Sequence, residues 1–356
     1  MVLDTYDYKN ITDYLQHLYQ CTPFSRDGVE HPVTVYYPSE AQIRDVDSVI
    51  DPYPPTQEDT DFAVYDYSYL HTLQNSKPSL FNGRTFTLNF IRTNPLRMRG
   101  ALGDYFDMLA TCATLEHELR DAVAEGWMRA PSRAQYHRHV EPKDAILRGS
   151  RRSAAIGIGT LTVFNDKGTY KTILARRSNK TAFDSGMYHV LPAMMFQPTT
   201  PEFSHPDHEW SIKHQVLREV LEEMFNMPEQ LHNEQWDFFY QHPAMVYLQA
   251  LMDSGQAQLY VTGIILNLLT LRPEVSTLLL IRDPEWYTRI TAPDSDMPFM
   301  TADETVKGSV VVAPMMRDSE FLAHFPENLY MRMPAQATAT LWLGIDLARE
   351  EIMREV

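Results

Sequence analysis

At 356 residues, 44% hydrophobic and 11% aromatic, the chain can bury a substantial core and is long enough for two domains. Its 47 acids outnumber its 31 bases, for a formal charge of −16. That balance excludes a general nucleic-acid backbone binder, because phosphate neutralisation needs clustered Lys and Arg. Two cysteines, Cys21 and Cys112, stand far apart and support neither a disulfide framework nor a Cys-type zinc site.

The first residues, MVLDTYDYKN, are acidic and lack an apolar signal core. The most apolar run, YVTGIILNLLTLRPEVSTLLLI, is interrupted by Asn267, Arg272, Pro273 and Glu274, too often to cross a bilayer. The expectation is a cytoplasmic protein with no membrane partner.

In chain order, YDYKNITDYLQHLYQC reads as a helix, HPVTVYYPS as a strand, and DPYPPTQEDTDF as an exposed loop. SLFNGRTFTLNFIRT carries an Asn-Gly turn signal followed by alternation, which predicts a hairpin strand with Phe86, Leu88 and Phe90 on one face. DYFDMLATCATLEHELRDAVAEG has helical spacing and ends at Gly126, a C-cap residue. The basic stretch RGSRRS at 148–153 marks a change of texture, which places a domain boundary near residue 145. Beyond it, AAIGIGTLTVF and TYKTILARRS flank the turn sequence NDKG, and MYHVLPAMMF follows as a third strand.

The next helix is expected over roughly 207–226, with Ser204 or Asp207 as N-cap and Pro228 past its end. LYVTGIILNLLTL and VSTLLLI read as buried strands around an Arg-Pro-Glu turn. A strand in GSVVVAP, a helix in DSEFLAHF and a last helix in TATLWLGIDLAREEIMREV complete the chain. Gly157 and Gly159 in AIGIGT lack the third glycine of a dinucleotide fingerprint. The alternation of sheet and helix predicts an α/β fold, a mixed sheet covered on both faces.

Within the helix, REVLEEMF at 218–225 puts Glu219, Glu222 and Glu223 inside an arc of about 100°. Leu217, Val220, Leu221, Met224 and Phe225 cover the opposite arc. Carboxylates three and four apart repel by a few tenths of a kcal/mol per pair, and a hard divalent cation reverses that repulsion. Arg218, four residues before Glu222, is placed to pair with it. A plain solvated face is the alternative reading.

REVLEE, together with the preceding strand and Pro192, resembles the Nudix hydrolases, whose box ends in Arg-Glu-aliphatic-x-Glu-Glu. The likeness covers roughly 150–320. It implies a Nudix-like α/β/α sandwich in residues 146–356, with a C-terminal helical extension, behind an α+β accessory domain in 1–145. It also implies Mg²⁺ or Mn²⁺ on Glu219, Glu222 and Glu223, ordered by Arg218, and hydrolysis of a nucleoside diphosphate linked to another group. A catalytically weak or inactive nucleotide sensor or interaction module on the same fold is the rival reading.

The chain departs from the family at several places. Ala193, Met194 and Met195 replace the paired glycines, Trp210 stands where an upstream glutamate belongs, and Gln197 replaces an acid. Candidate substrate contacts are Arg176 and Arg177 for phosphate, and Tyr188, Phe196, Trp210 and Trp286 for stacking on a base. His205, Asp207, His208, Glu209 and His214 lack zinc-protease spacing and read as a polar insertion. The first 145 residues offer covering, pocket-shaping or homodimer roles.

Overall fold

The computed structural model describes residues 5–58, 60–77, 80–126, 130–178, 186–199, 203, 206–227, 238–299, 305 and 309–354. The chain opens with α1 (Thr5–Tyr19), the short strands β1 (Phe24–Arg26) and β2 (Val29–His31), then β3 (Val33–Tyr36) and α2 (Glu40–Ile43). A 3₁₀ turn at Val46–Val49 leads to α3 (Tyr67–Ser76), the hairpin β4 (Arg84–Thr93) and β5 (Leu96–Asp104), and α4 (Tyr105–Met108). Through a π turn at Leu109–Ala113 the last of these continues into α5 (Thr114–Ala124), followed by α6 (Pro131–Tyr136) and α7 (Pro142–Ala145).

Next come β6 (Gly157–Asp166), β7 (Thr169–Arg176), β8 (Tyr188–Val190), β9 (Ala193–Met195), α8 (Pro206–Glu209) and α9 (Ile212–Phe225). The remainder holds α10 (Pro243–Asp253), β10 (Ala257–Asn267), β11 (Arg272–Ile281), α11 (Trp286–Thr291), β12 (Val311–Pro314), α12 (Asp318–Leu322) and α13 (Ala335–Met353). Among the described residues, no helix is long and apolar enough to cross a membrane.

The main sheet is mixed, in the order β12-β7-β6-β11-β10-β3, with β8 on β7 and β9 on β6. Its parallel pair is β6 with β11, and β3 enters from the first part of the chain by pairing antiparallel with β10. Period-two alternation sorts the two faces. Leu161, Val163, Leu278 and Leu280 pack with Leu341 and Ile345 of α13. Ile158, Phe164, Leu279 and Ile281 pack with Val216, Val220 and Leu248 of α9 and α10. The chain is thus mixed α/β with helices on both faces of the sheet.

Three local expectations are corrected. The hairpin closes at Asn94–Pro95 and not at Asn82–Gly83, where the Asn82 carboxamide accepts from the Phe106 N–H at 2.8 Å. A bulge between Leu88 and Phe90 then breaks the alternation, so Phe86, Leu88 and Ile91 are buried while Phe90 is not. Arg-Pro-Glu is no turn: β11 begins at Arg272, and Pro273 stands opposite Leu266.

The actual β10–β11 turn is closed by the Leu271 N–H on the Asn267 carbonyl at 2.7 Å, and by the Leu269 N–H on the Asn267 side chain at 2.8 Å. Two buried arginines hold it. Arg133 donates to the Leu268 and Leu269 carbonyls and to the Tyr19 hydroxyl. Arg152 donates to the Leu271 and Ala145 carbonyls and to the Tyr136 hydroxyl. Helices α1, α6 and α7 are thereby tied to the end of the main sheet.

Candidate functional site

The expected helix over 207–226 is two helices with an elbow at Trp210–Ser211. Ser211, not Ser204 or Asp207, is the N-cap of α9: its extended backbone lets Oγ accept from the His214 N–H at 3.1 Å. Asp207 lies inside α8, while Ser204 and Pro228 fall outside the described residues. Asn226, in the left-handed conformation at φ 50, ends α9.

A carboxylate from elsewhere in the chain fastens the start of α9. Asp47, in the 3₁₀ turn, accepts from Ser211 Oγ at 2.8 Å and from the Ile212 and Lys213 N–H groups at 2.5 and 3.3 Å. Burial raises its pKa, opposed by these hydrogen bonds. Four residues on, the Asp51 carbonyl accepts from the Trp210 indole at 2.7 Å. A cavity of about 680 Å³ lies beside this clamp, lined by Asp45, Asp47, Asp51, Arg97, Lys213 and Tyr240 among others. Sequence reasoning missed Asp47 altogether; the two aspartates of DVDSV carry no periodic signal.

Further along α9, the glutamates are turned inward. Glu219 is 7% exposed, and its Oε1 accepts from Arg218 Nη2 at 3.1 Å and from Gln215 Nε2 at 3.2 Å. Arg218, itself buried, also meets Glu222 Oε1 at 3.7 Å, the pairing expected from their spacing. Glu223 accepts from the Ala193 N–H of β9 at 2.8 Å, and Gln215 reaches the Met195 carbonyl at 3.4 Å. The acidic face therefore packs on Ala193–Met195 and is not a solvated stripe.

Among the described residues, no three His, Cys, Asp or Glu side chains stand together so as to hold a metal ion. Glu219 and Glu222 lie against Arg218, and Glu223 accepts from a backbone N–H.

Three of the four expected base-stacking residues are core, and Tyr188 is partly buried. Phe196 and Trp210 stack on each other at 4.8 Å with planes 7° apart, and Phe86 closes on the edges of both. Phe196 is fully buried and Trp210 is 5% exposed, which leaves no ring face for a base. Trp286 is likewise buried against Phe164, and Tyr188 packs on Phe325.

Arg176 is exposed at the end of β7 and donates to the Gly186 carbonyl at 2.8 Å. Arg177 forms a backbone bridge with Thr305, and burial, then the Arg177 charge, lowers the pKa of His189. Neither arginine makes a described hydrogen bond to the α9 glutamates.

In the polar insertion, His205 lies outside the described residues. Glu209 is buried and accepts from the Thr199 N–H at 2.5 Å. His214 bonds the Tyr240 hydroxyl at 3.2 Å, and burial, then Arg218, lowers its pKa to about 3. These residues shape the elbow and the start of α9.

No protein-family model and no curated protein matches the chain. Among solved structures, a bifunctional NMN adenylyltransferase/ADP ribose pyrophosphatase from Francisella tularensis, complexed with AMP and a Mn ion, aligns with a TM-score of 0.29 at 11% identity. The alignment covers 55% of this chain and 42% of that one, so the chain matches about two fifths of that protein's length. Similarity at this level carries no argument about this chain's chemistry.

Proposed function

We propose that this chain is a Nudix-fold protein that binds a nucleoside diphosphate derivative, with metal-dependent turnover weak or absent. The reading starts from REVLEE and rests on one observation: the Glu223 carboxylate accepts from the Ala193 N–H. Where the family has glycines, Ala193, Met194 and Met195 bring side chains that restrict the backbone. Arg218 and Gln215 engage Glu219 in the same structural way. On this reading α9 is a fastened wall of the binding region.

A second reading, metal-assisted hydrolysis on Glu219, Glu222 and Glu223, draws support from the same inward turn. An acidic face placed only for solubility would point to bulk water. Its requirement is that Glu219, Glu222 and Glu223 converge on Mg²⁺ or Mn²⁺.

The purified chain, incubated with Mg²⁺ or Mn²⁺ and ADP-ribose, NAD, nucleoside triphosphates, dinucleoside polyphosphates or nucleotide sugars, separates the two. Ligand-raised Tm without metal, and no nucleoside monophosphate released, is the expected outcome. Metal-dependent release that Glu223→Gln abolishes, with Tm unchanged, establishes the hydrolase instead. No binding and no turnover across the panel refutes both.

A further inference from the structure

The strongest feature outside α9 is the outer face of the β4–β5 hairpin. Directly opposed residues share a sheet face, so the register places Phe90 beside Arg99, and Arg92 beside Arg97. An isolated antiparallel bridge sets Arg148, from the basic stretch RGSRRS, on the other side of Phe90. The result is a row Arg148, Phe90, Arg99 about 10 Å across, with Arg92 and Arg97 in the row behind it.

Arg92, Arg99 and Arg148 are exposed and Arg97 partly so. None of the four is in an ion pair with a described residue. The neighbouring acids go elsewhere: Glu58 takes the Asn89 carboxamide, Asp61 takes Arg151, and Asp45 and Asp51 line the adjoining cavity with Arg97 without pairing to it.

This arrangement has a cost and no structural return. Like charges directly opposite on a sheet destabilise it, and a chain with 47 acids could supply partners. The bulge adds a second, independent observation: it turns Phe90 away from the buried face of Phe86 and Leu88 and into the middle of the arginines. Bulges re-aim side chains in this way. Cations around one aromatic ring match phosphates around one base.

We propose that this face binds single-stranded nucleic acid, with Phe90 stacking on a base and Arg92, Arg97, Arg99 and Arg148 meeting backbone phosphates. The formal charge of −16 excludes general backbone binding but says nothing about one local patch. The inference does not depend on the α9 site.

The test is fluorescence anisotropy of the full chain with a labelled 12-nucleotide oligo-dT or oligo-rU. Four phosphate contacts predict that Kd rises about 50-fold between 50 and 200 mM salt. Phe90→Leu should weaken binding at least fivefold, since stacking on a ring face is lost. The double variant Arg99→Ala/Arg148→Ala should reduce the salt slope by about 1.4. Thermal melts of each variant check the fold, and Lys171→Ala serves as a distant charge control.

Polyaspartate and phosphatidylserine vesicles are run as competitors. The proposal predicts that neither displaces the oligonucleotide at equal charge. It is overturned if the wild type does not bind at 50 mM salt. It is also overturned if Phe90→Leu binds as well as wild type, or if either competitor displaces the oligonucleotide as well as unlabelled oligonucleotide does.

Discussion

Replacing Asp47 by alanine tests whether a carboxylate distant in sequence holds the acidic helix in place. The substitution removes the acceptor for Ser211 Oγ and for the Ile212 and Lys213 N–H groups. Loss of a cap acceptor costs about 0.5–2 kcal/mol, and because burial raises the Asp47 pKa its charge adds no net stabilisation to that figure. A total of about 2 kcal/mol is expected. With an unfolding entropy of about 2.1 cal/mol/K per residue, that lowers the Tm of a chain this long by about 3 °C.

Asparagine distinguishes geometry from charge at the same position. Its carbonyl oxygen can accept from the helix N–H groups, so Asp47→Asn should lose about 1 kcal/mol or less. The pH dependence carries its own sign. Burial raises the folded pKa of Asp47 above the ordinary 3.8, so the folded state holds the proton more tightly than the unfolded one. This group's contribution to stability therefore falls as pH rises from 3.8 through the raised value. Urea denaturation of the wild type and both variants at pH 4 and 7 measures all of this. Equal losses in the two variants, or a loss in Asp47→Ala below about 0.5 kcal/mol, would refute the cap.

Four further outcomes follow from the packing. Arg133→Met leaves the Leu268 and Leu269 carbonyls without their buried donor and should cost about 3 kcal/mol or more by chemical denaturation. A loss under 1 kcal/mol would mean that the turn holds itself. Gly159→Ala puts a methyl 2.6 Å from Glu274 Oε1 and 3.2 Å from Thr340 Oγ1, so a loss of about 1–3 kcal/mol is expected; an unchanged melting curve would show that the Glu274 side chain swings aside freely. Trp210→Phe keeps the ring stack and loses the bond to the Asp51 carbonyl, for about 1 kcal/mol in stability and no change in ligand affinity. Weakened ligand binding there would return Trp210 to the binding region. Finally, burial lowers the pKa of His31 to about 4 and those of His189 and His214 to about 3. Each is neutral in the folded state, so stability present above 6.5 is lost as pH falls below it, by up to about 1.4 kcal/mol per pH unit each. His214→Gln should flatten the fall in Tm between pH 7 and 5, and an unchanged slope would place the titration elsewhere.

Residues whose partners lie within one turn or one strand were legible in the sequence. Strands β6, β10 and β11 appear as apolar runs because each is buried on both faces, and Arg218 meets Glu222 because four residues make about one helical turn. The bulge at Leu88–Phe90 was not legible, since nothing in FTLNFI distinguishes an alternating strand from one that gains a residue. Nor was the elbow at Trp210–Ser211, where Asp51 and Asp47 supply the reason from about 160 residues earlier in the chain. Aromatic residues near a suspected site read equally as core or as ligand contacts, and Phe196 and Trp210 were resolved only by their mutual stack.

The acidic face of α9 shows how far local pattern reaches. Spacing alone puts Glu219, Glu222 and Glu223 on one side of the helix, and it does so whether that side meets water, a metal or a strand. The Ala193 N–H decides which, and it can reach Glu223 only because β9 is held on β6 by the pairs Ala193 with Gly159 and Met195 with Gly157. A short strand on the sheet thus gives the glutamates a structural task. Any other task for Glu223 shares its carboxylate with that bond, which is why Ala193 and Glu223 belong in the same set of variants as the ligand panel.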